Sequence, residues 1–284
     1  IVILGPTASG KTKIAVKLAK SFNGEIVSAD SRQVYKGLDI GSGKDLDEYK
    51  DVNYHLIDVA SPRNIFNLSQ YQKRAHQAIK KIIKNKKLPI LCGGTGLYAE
   101  AVFDNYLLPK IKPDFDQRKM LSKLNLTELQ KLAKKLNRDF NNSDWNNPAR
   151  LIRALETNNQ DINNRKEKYI SLIFAIDINA NDLKNNINKR LIKRLKQGMV
   201  NEVASLHKNG LSWKRLESFG LEYKIISQYL QNKINYQQMC LNIINESTKL
   251  AKRQITWLKR PVLKNRVVWV KSYKQIKTIT KQFL

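Results

Sequence analysis

The chain has 284 residues, 42% of them hydrophobic, so it is long enough to bury a sizeable core and hold a smaller subdomain. It carries 52 Lys and Arg against 24 Asp and Glu, and its formal net charge of +28 attracts polyanions such as nucleic acid. The sequence has no signal peptide, no apolar run of membrane length and no metal-ligand spacing at its two cysteines, so we expect a cytoplasmic protein that does not enter a membrane. The abundance of Lys, Asn and Ile together is also typical of a genome-wide codon bias, so the clustering of charge must decide what the excess means.

The N-terminal segment is a predicted strand, loop and helix. Residues 1–4 are apolar, and residues 13–20 place apolar side chains at helical spacing. Between them, GPTASGKT has the G-x-x-x-x-G-K-[ST] spacing of a phosphate-binding loop. Backbone N–H groups and a lysine in such a loop attract phosphate oxygens, and its threonine hydroxyl can bind Mg²⁺. We therefore expect Mg²⁺ on Thr12 and a phosphoanhydride ligand on Gly5, Pro6, Thr7, Ala8, Ser9, Gly10, Lys11 and Thr12.

Strands and helices then alternate along the chain. The next predicted strands are GEIVSAD, YHLIDVA and LPILCGGTG, with a helix over NLSQYQKRAHQAIKKIIKNKK before the last of them. Residues 111–164 are helical and polar, and YISLIFAIDI restores a strand. Further helices are predicted over 183–206, 223–231, 236–245 and 246–259, followed by the strand RVVWV and a short basic tail.

This alternation predicts the α/β class, with a parallel sheet and helices on both faces. With the phosphate loop, we expect a P-loop NTPase-like parallel sheet core flanked by helices, with a helical insertion domain. The core comprises residues 1–110 and 166–284, and the insertion comprises residues 111–165.

Two predicted strand ends carry candidate chemistry. Asp30 ends the second strand, and Thr95 follows Gly93 and Gly94 at the end of a later one. Parallel strands end at one edge of the sheet, where ligands bind. A carboxylate beside a phosphate loop is unfavourable unless it takes a proton or holds a metal. A loop-capping aspartate and an ordinary Gly-Gly-Thr turn remain alternatives.

Basic residues cluster on two predicted helices. Arg150 and Arg153 lie at i, i+3 in NPARLIRALE, and a second basic face in TKLAKRQITWLKR comprises Lys249, Lys252, Arg253, Thr256 and Lys259. Such faces suit a phosphate backbone, although a merely solvated face remains the alternative. Arg190 and Arg194 either line the cleft or decorate a helix.

Four segments together resemble one family, the tRNA dimethylallyltransferases, which prenylate the adenosine just 3′ of the anticodon. They are GPTASGKT, SADSRQVYKGLDIG, GGTGLY and AKRQITWLKR. The likeness spans nearly the whole chain, since NPARLIRALE and the run from Arg190 through Gly198 to Val203 also look like family segments. The resemblance implies a monomer whose phosphate loop binds dimethylallyl diphosphate rather than ATP. It also implies that the core and the insertion clasp the anticodon stem-loop, with the target base flipped into a channel opposite the prenyl donor.

The resemblance further implies roles for individual residues. Lys11 and Thr12, the latter with Mg²⁺, would bind the diphosphate leaving group, with Arg190 and Thr95 contributing from the opposite side. Asp30 would hydrogen-bond the adenine amine and take its proton. The residues implied to bind tRNA are Asp30, Ser31, Arg32, Gln33, Arg118, Arg150, Arg153, Lys252, Arg253, Thr256 and Lys259.

Three positions depart from the family pattern. Glu222 precedes Tyr223 where members usually have Gly-Tyr, GSGKD occupies residues 41–45, and Asn186 stands where arginine is common. These departures bear on substrate preference and RNA contacts more than on the reaction.

Three other functions are open to the sequence. A small-molecule phosphate-loop kinase would need a carboxylate for Mg²⁺, and Asp58 at a predicted strand end could supply it. A prenyltransferase acting on free adenine nucleotides would use the same donor site, and the basic insertion and tail argue instead for a macromolecular acceptor. A non-catalytic RNA-binding protein is disfavoured because Lys11, Thr12, Asp30 and Thr95 are all present.

Overall fold

The chain forms two compact units in the computed structural model, which describes residues 1–108, 111, 114–136, 139–157 and 168–284. The larger unit holds residues 1–103 and 168–284, and the smaller unit holds residues 104–167. The insertion expected over residues 111–165 falls within the smaller unit, and its C-terminal limit lies outside the described residues.

A six-stranded parallel sheet organises the larger unit. Its strands are β1 (Val2–Leu4), β2 (Gly24–Ser28), β3 (Tyr54–His55), β4 (Leu88–Gly93), β5 (Ile173–Ile176) and β6 (Val267–Val270). The spatial order is β3-β2-β4-β1-β5-β6, and every neighbouring pair is parallel. The strand that precedes the phosphate loop therefore lies in the interior of the sheet. The predicted α/β class and parallel core are confirmed.

Helices flank this sheet and make up most of the described part of the smaller unit. Those that precede or form the smaller unit are α1 (Lys11–Ser21), α2 (Leu68–Lys84), α3 (Gly96–Phe103), α4 (Phe115–Leu121), α5 (Leu126–Ala133), α6 (Asn142–Trp145) and α7 (Pro148–Glu156). Those that follow it are α8 (Ala180–Lys196), α9 (Met199–Lys208), α10 (Trp213–Ser218), α11 (Leu221–Leu230), α12 (Tyr236–Leu258), α13 (Pro261–Lys264) and α14 (Tyr273–Phe283). Within the described part of the chain, no helix is both long enough and apolar enough to cross a membrane.

The two faces of the sheet bury separate apolar clusters. Val2 and Leu4 point into one cluster with Tyr71, while Ile3 points into the other with Leu18. This division follows from the alternation of side chains along a strand. Both faces are covered, so the interior strands β1 and β5 are buried throughout and entirely apolar.

Four predicted elements differ in extent. The strand over YHLIDVA shortens to Tyr54–His55 because Leu56 and Asp58 adopt positive φ angles of 64° and 57°. The helix predicted over 183–206 is interrupted after Lys196, and Gly198, at a φ of 91°, is the N-cap of a separate helix, α9. The helices predicted over 236–245 and 246–259 are one helix, α12. The basic tail is not a tail, because it forms the capped helix α14 with Ile276 buried.

Candidate active site

A cavity of about 590 Å³ lies at the carboxyl edge of the sheet, where the loops after β1, β2 and β4 meet α8, α11 and α12. It brings together the predicted site residues Thr7–Thr12, Asp30–Gln33, Thr95 and Arg190. Pro6 is buried, and Gly5 borders a second cavity of about 220 Å³ beside Trp257. Apart from Gly5 and Pro6, the residues that sequence reasoning assigned to the phosphate loop and to the base pocket thus share one cavity.

The phosphate loop leads directly into the N-terminus of α1. Gly10 caps this helix at a φ of 78°, and the first turn contains no acidic residue, so the positive end of the helix dipole is not neutralised. Lys11 Nζ donates to the Pro6 carbonyl at 3.2 Å. The buried Ser9 Oγ finds no hydrogen-bond partner among the described residues. Buried polar atoms are normally paired, so this hydroxyl is suited to an incoming ligand oxygen.

Burial disfavours the charged form of Lys11, which lies at the phosphate-loop end of the pocket. The pKa of Lys11 lies below its ordinary value chiefly because burial disfavours the charged form. Arg190 lowers the pKa further, while Asp30 opposes the shift. An anionic ligand would restore the balance of charge here.

Two arginines of α8 approach the pocket from the other side. Arg190 Nη1 donates to Thr7 Oγ1 at 2.7 Å, and Arg194 Nη1 donates to the Gly41 carbonyl at 3.2 Å. Burial, followed by repulsion from Arg190, lowers the pKa of Arg194 to about 10. Gly43, at a φ of 67°, is required here because a Cβ atom would lie 1.6 Å from Arg194 Nη2. Of the two alternatives that the sequence left open for Arg190 and Arg194, the structure favours the first, because both side chains line the cavity.

A turn after β2 fixes the candidate base. Asp30 Oδ1 accepts from the backbone N–H groups of Arg32 at 2.8 Å and of Gln33 at 3.3 Å. Thr95 Oγ1 accepts from the Ser31 N–H at 3.1 Å and donates to Ser31 Oγ at 3.4 Å. Thr95 therefore ties the end of β4 to the turn that holds Asp30, and its contact with the diphosphate stays a prediction.

Gln254 is a pocket residue that sequence reasoning missed. The Thr7 N–H donates to Gln254 Oε1 at 2.8 Å, and Gln254 Nε2 donates to the Gly94 carbonyl at 2.8 Å. One amide therefore links the phosphate loop to the loop after β4. The available signal was its place in AKRQITWLKR, one turn after Leu250, which lines the same cavity.

We expect Gln254→Leu to weaken the binding of inorganic diphosphate to the phosphate loop about tenfold, because each lost hydrogen bond contributes about 0.5–1.5 kcal/mol. Isothermal titration calorimetry measures this. Gln237→Leu, on the exposed first turn of the same helix, is the control. An unchanged dissociation constant would show that the bridge does not hold the loop in its binding conformation.

The basic face of α12 lies outside the cavity. Lys252, Arg253, Thr256 and Lys259 are all exposed, and none of them lines the 590 Å³ cavity. Arg253 borders the second cavity, and the Lys259 ammonium lies 5.9 Å from the centre of the Trp269 ring. The face is available to a large polyanion rather than to a small ligand in the pocket.

The predicted RNA-binding arginines of the smaller unit form ion pairs within that unit. Arg118 binds both carboxylate oxygens of Glu156, at 2.6 and 2.8 Å, and Arg153 binds the same carboxylate at 2.9 Å. Arg150 pairs with Asp144. The Glu156 side chain is only 1% exposed, so two of these arginines balance a buried charge. Their role in RNA binding stays a prediction.

We expect Arg118→Ala to lower the free energy of local unfolding of α4 and α7 by about 1–3 kcal/mol, because the buried Glu156 carboxylate loses its hydrogen bonds from Arg118. Burial raises the pKa of Glu156, but hydrogen bonds from Arg118 and Arg153 outweigh it, and the net shift is downward. The stabilisation is therefore present above the unfolded pKa of about 4.3 and lost as pH falls through the lower folded value. Hydrogen exchange of the amides in the two helices measures both effects.

Arg150→Ala is the matched control, because its side chain is 53% exposed and an exposed pair contributes about 0–1 kcal/mol. Equal effects of the two substitutions would contradict the structural role of Arg118.

The structure does not place Asp58 where the kinase alternative requires a Mg²⁺ ligand. Asp58 contacts the buried Lys44 ammonium, which also binds Asp39 Oδ1 at 2.5 Å and the Tyr35 carbonyl at 2.8 Å. Asp58 does not line the 590 Å³ cavity. The interpretation of Asp58 as a Mg²⁺ ligand beside the phosphate loop is therefore wrong.

The fold and the pocket define the class of the protein. It is a phosphate-loop α/β protein whose pocket is lined by the carboxylate of Asp30 and by the cations Lys11, Arg190 and Arg194. A sequence model described as IPP transferase matches residues 33–261. The chain belongs to this family.

Individual relatives agree with this assignment. The chain is 42% identical to tRNA dimethylallyltransferase 1 of Syntrophus aciditrophicus, over 92% of this chain and 89% of that protein. It is 43% identical to tRNA dimethylallyltransferase 2 of Treponema denticola, over 92% of this chain and 91% of that protein. The structure resembles the tRNA isopentenylpyrophosphate transferase of Bacillus halodurans with a TM-score of 0.74, 30% identity, and coverage of 99% and 94% of the two chains.

Proposed function

We propose that this chain transfers a dimethylallyl group from dimethylallyl diphosphate to the N6 amine of the adenosine on the 3′ side of the anticodon in tRNA, releasing diphosphate. The observation that carries the proposal is the shared cavity of the phosphate loop and Asp30. A kinase needs no base for an exocyclic amine, whereas prenyl transfer to an amine needs both a diphosphate site and a proton acceptor. The family of the chain supports the same reaction.

The residues that line the cavity can account for each bond and proton change in the reaction. The N6 lone pair attacks C1 of the dimethylallyl group while the C1–O bond to diphosphate breaks, and the N6 proton passes to a carboxylate oxygen of Asp30. Lys11 and Arg190 stabilise the charge that grows on the leaving diphosphate. The turn that fixes Asp30 also fixes the direction of the accepting oxygen.

Mg²⁺ fits the donor set of the phosphate loop. Thr12 lies in the first turn of α1 and lines the cavity, and a hydroxyl together with diphosphate oxygens supplies the hard oxygen ligands that Mg²⁺ prefers. Bound there, the ion would neutralise diphosphate charge. Among the described residues no cluster of three or more His, Cys, Asp or Glu could hold a metal, so the ligand itself would complete the site.

The acceptor is proposed to be a whole tRNA. The exposed cations of α12 would track the RNA backbone, and Arg118, Arg150 and Arg153 would add contacts from the smaller unit. The target base must leave its stack to reach Asp30 inside the cavity. Free thiols at Cys92 and Cys240 fit a cytoplasmic enzyme, which we expect to act as a monomer.

One incubation tests the proposal. The protein is mixed with Mg²⁺, dimethylallyl diphosphate and unmodified tRNA carrying adenosine beside its anticodon. The tRNA is then digested to nucleosides, which mass spectrometry identifies. We expect prenylated adenosine, and none from a matched tRNA with guanosine at that position. Prenylation of free adenosine monophosphate but not of tRNA would identify the free-nucleotide enzyme. ADP formation from ATP and a small acceptor, without prenyl transfer, would identify a kinase.

A further inference from the structure

Arg194 is a buried guanidinium that lines the cavity and that the proposed mechanism does not use. It lies on α8, one turn after Arg190, and its side chain is 4% exposed. Burying a charge costs free energy unless hydrogen bonds and opposite charges compensate for it. The contacts of Arg194 therefore indicate what the residue does.

The carboxylates near Arg194 compensate for its charge only at a distance. Glu222 Oε1 lies 3.6 Å from Arg194 Nη1, and Asp45 Oδ2 lies 3.9 Å from Nη2. Both distances are too long for hydrogen bonds. Nη1 donates to the Gly41 carbonyl at 3.2 Å, whereas the buried Nη2 finds no hydrogen-bond partner among the described residues. Arg194 therefore holds an unpaired donor in the wall of the cavity.

Neutralisation of Glu222 does not by itself account for Arg194. The Glu222 carboxylate already has a cation, because Arg32 Nη1 donates to its Oε2 atom at 3.0 Å. Arg194 lies farther from this carboxylate and leaves Nη2 unpaired. A ligand oxygen would pair this nitrogen, as buried polar atoms normally are.

Arg194 and Arg190 meet at one residue of the cavity wall. A Cβ atom at Gly43, which lines the cavity, would lie 1.6 Å from Arg194 Nη2 and 2.5 Å from Arg190 Nη2. Arg190 also has a buried nitrogen, Nε, without a hydrogen-bond partner in the described part of the chain. Burial, and then repulsion from Arg190, lowers the pKa of Arg194. An anion that bound both guanidinium groups would offset this repulsion.

The phosphate loop offers a second set of donors to the same cavity. This set comprises Lys11, the N-terminus of α1 and the unpaired Ser9 hydroxyl. Arg190 joins the two sets, since its Nη1 donates to Thr7 Oγ1 of the loop at 2.7 Å. One set on α8 and one at the loop suit two linked phosphates better than a single phosphate.

We propose that Arg194 and Arg190 together bind one phosphate of a diphosphate while Lys11 and the N-terminus of α1 bind the other, so that Arg194 makes the pocket select a diphosphate over a monophosphate. The inference rests on the proposed function, because the diphosphate is that of the prenyl donor. In the free protein two carboxylates stabilise the charge of Arg194. When the ligand binds, a phosphate oxygen accepts from Nη2, and Nη1 keeps its bond to the Gly41 carbonyl.

Calorimetry with inorganic diphosphate and with inorganic phosphate, at one Mg²⁺ concentration, tests the inference. We expect Arg194→Met to weaken diphosphate binding about 10- to 100-fold, the loss expected for a hydrogen bond from a charged group. Binding of inorganic phosphate should weaken less than about threefold, because Lys11 and the N-terminus of α1 are intact. Lys196→Met, exposed on the same helix and outside the cavity, is the control and should change neither affinity.

Two further variants separate charge from shape. Arg194→Lys keeps a cation without the guanidinium fork, and its diphosphate affinity should lie between those of wild type and Arg194→Met. Asp45→Asn removes a carboxylate near Arg194 and should tighten diphosphate binding about two- to fivefold, the effect of one partly exposed charge. Asparagine tolerates the φ of 43° at this position, so Asp45→Asn tests the inference even if thermal melting shows the Arg194 variants to be unstable.

Three results would overturn the inference: an unchanged ratio of diphosphate to phosphate affinity in Arg194→Met, equal losses in Arg194→Lys and Arg194→Met, or no gain in Asp45→Asn. A merely structural role of Arg194 predicts the first of these together with a lower melting temperature. The proposed function is judged separately, from prenylated nucleoside made by the wild-type protein, whereas these affinities are measured without turnover.

Discussion

Replacement of Asp30 by asparagine is expected to lower the rate of prenyl transfer about 10²- to 10⁴-fold, the usual contribution of a general base. Asparagine keeps an oxygen that can accept from the backbone N–H groups of Arg32 and Gln33, so the turn should persist. It removes the basic oxygen that would take the N6 proton. Single-turnover transfer with saturating donor and tRNA measures the chemical step.

Two further variants sharpen this prediction. Asp30→Ala removes both the turn contacts and the base, and should nearly abolish transfer while leaving tRNA affinity within a few-fold of wild type. Asp51→Asn, whose side chain is 93% exposed, is the control. Undiminished turnover of Asp30→Asn would remove Asp30 from the mechanism, and a loss of tRNA binding equal to the loss of rate would reassign it to recognition.

Replacement of Lys11 by methionine is expected to lower kcat about 10²- to 10³-fold, as for loss of one group that stabilises transition-state charge. Methionine retains most of the buried apolar length of the side chain and removes the charge. The effect should fall on kcat more than on tRNA affinity, because charge on the diphosphate grows as the C1–O bond breaks.

The pH dependence of kcat/KM for the donor provides a second measurement. Burial lowers the pKa of Lys11, so in the free protein this side chain loses its proton at a lower pH than an exposed lysine. We expect activity to fall on the alkaline side as Lys11 loses its charge, and this limb to be absent in Lys11→Met. Lys17→Met, on the exposed face of the same helix, is the control. An identical alkaline limb in both variants would exclude Lys11 as its source.

Local pattern was sufficient for most elements of the fold. The apolar strands and the 3.6-residue periodicity of α2 appear where predicted, because both signals lie within a single element. The ends were harder to predict. The break at Gly198 and the continuity of α12 depend on how these helices pack. Helix α14 has a mostly polar sequence, and its formation depends on the burial of Ile276 in the folded protein.

Some residues of the candidate site were likewise predictable from local sequence, and others were not. Its phosphate loop, Asp30 and Thr95 were predictable, since short motifs and strand ends place them at one edge of a parallel sheet. For Arg190, which lies on α8, the sequence left open whether the side chain lines the cleft. Gln254 was not predictable, because its partners Thr7 and Gly94 are 247 and 160 residues away in the chain. The pairing of Arg118 with Glu156 was missed because 38 residues separate them.

The sequence by itself determined the phosphate loop, the alternation of strands and helices, and the family resemblance, because each rests on short segments of contiguous residues and on their order along the chain. Tertiary structure alone decided which charges meet. Arg32 and Glu222 are 190 residues apart, yet they lie 3.0 Å apart in the pocket. Asp58 looked like a metal ligand, yet it pairs with Lys44 outside the cavity. The physical reason is that Coulombic and hydrogen-bond partners are selected by distance in space, and the chain sets that distance only when it folds.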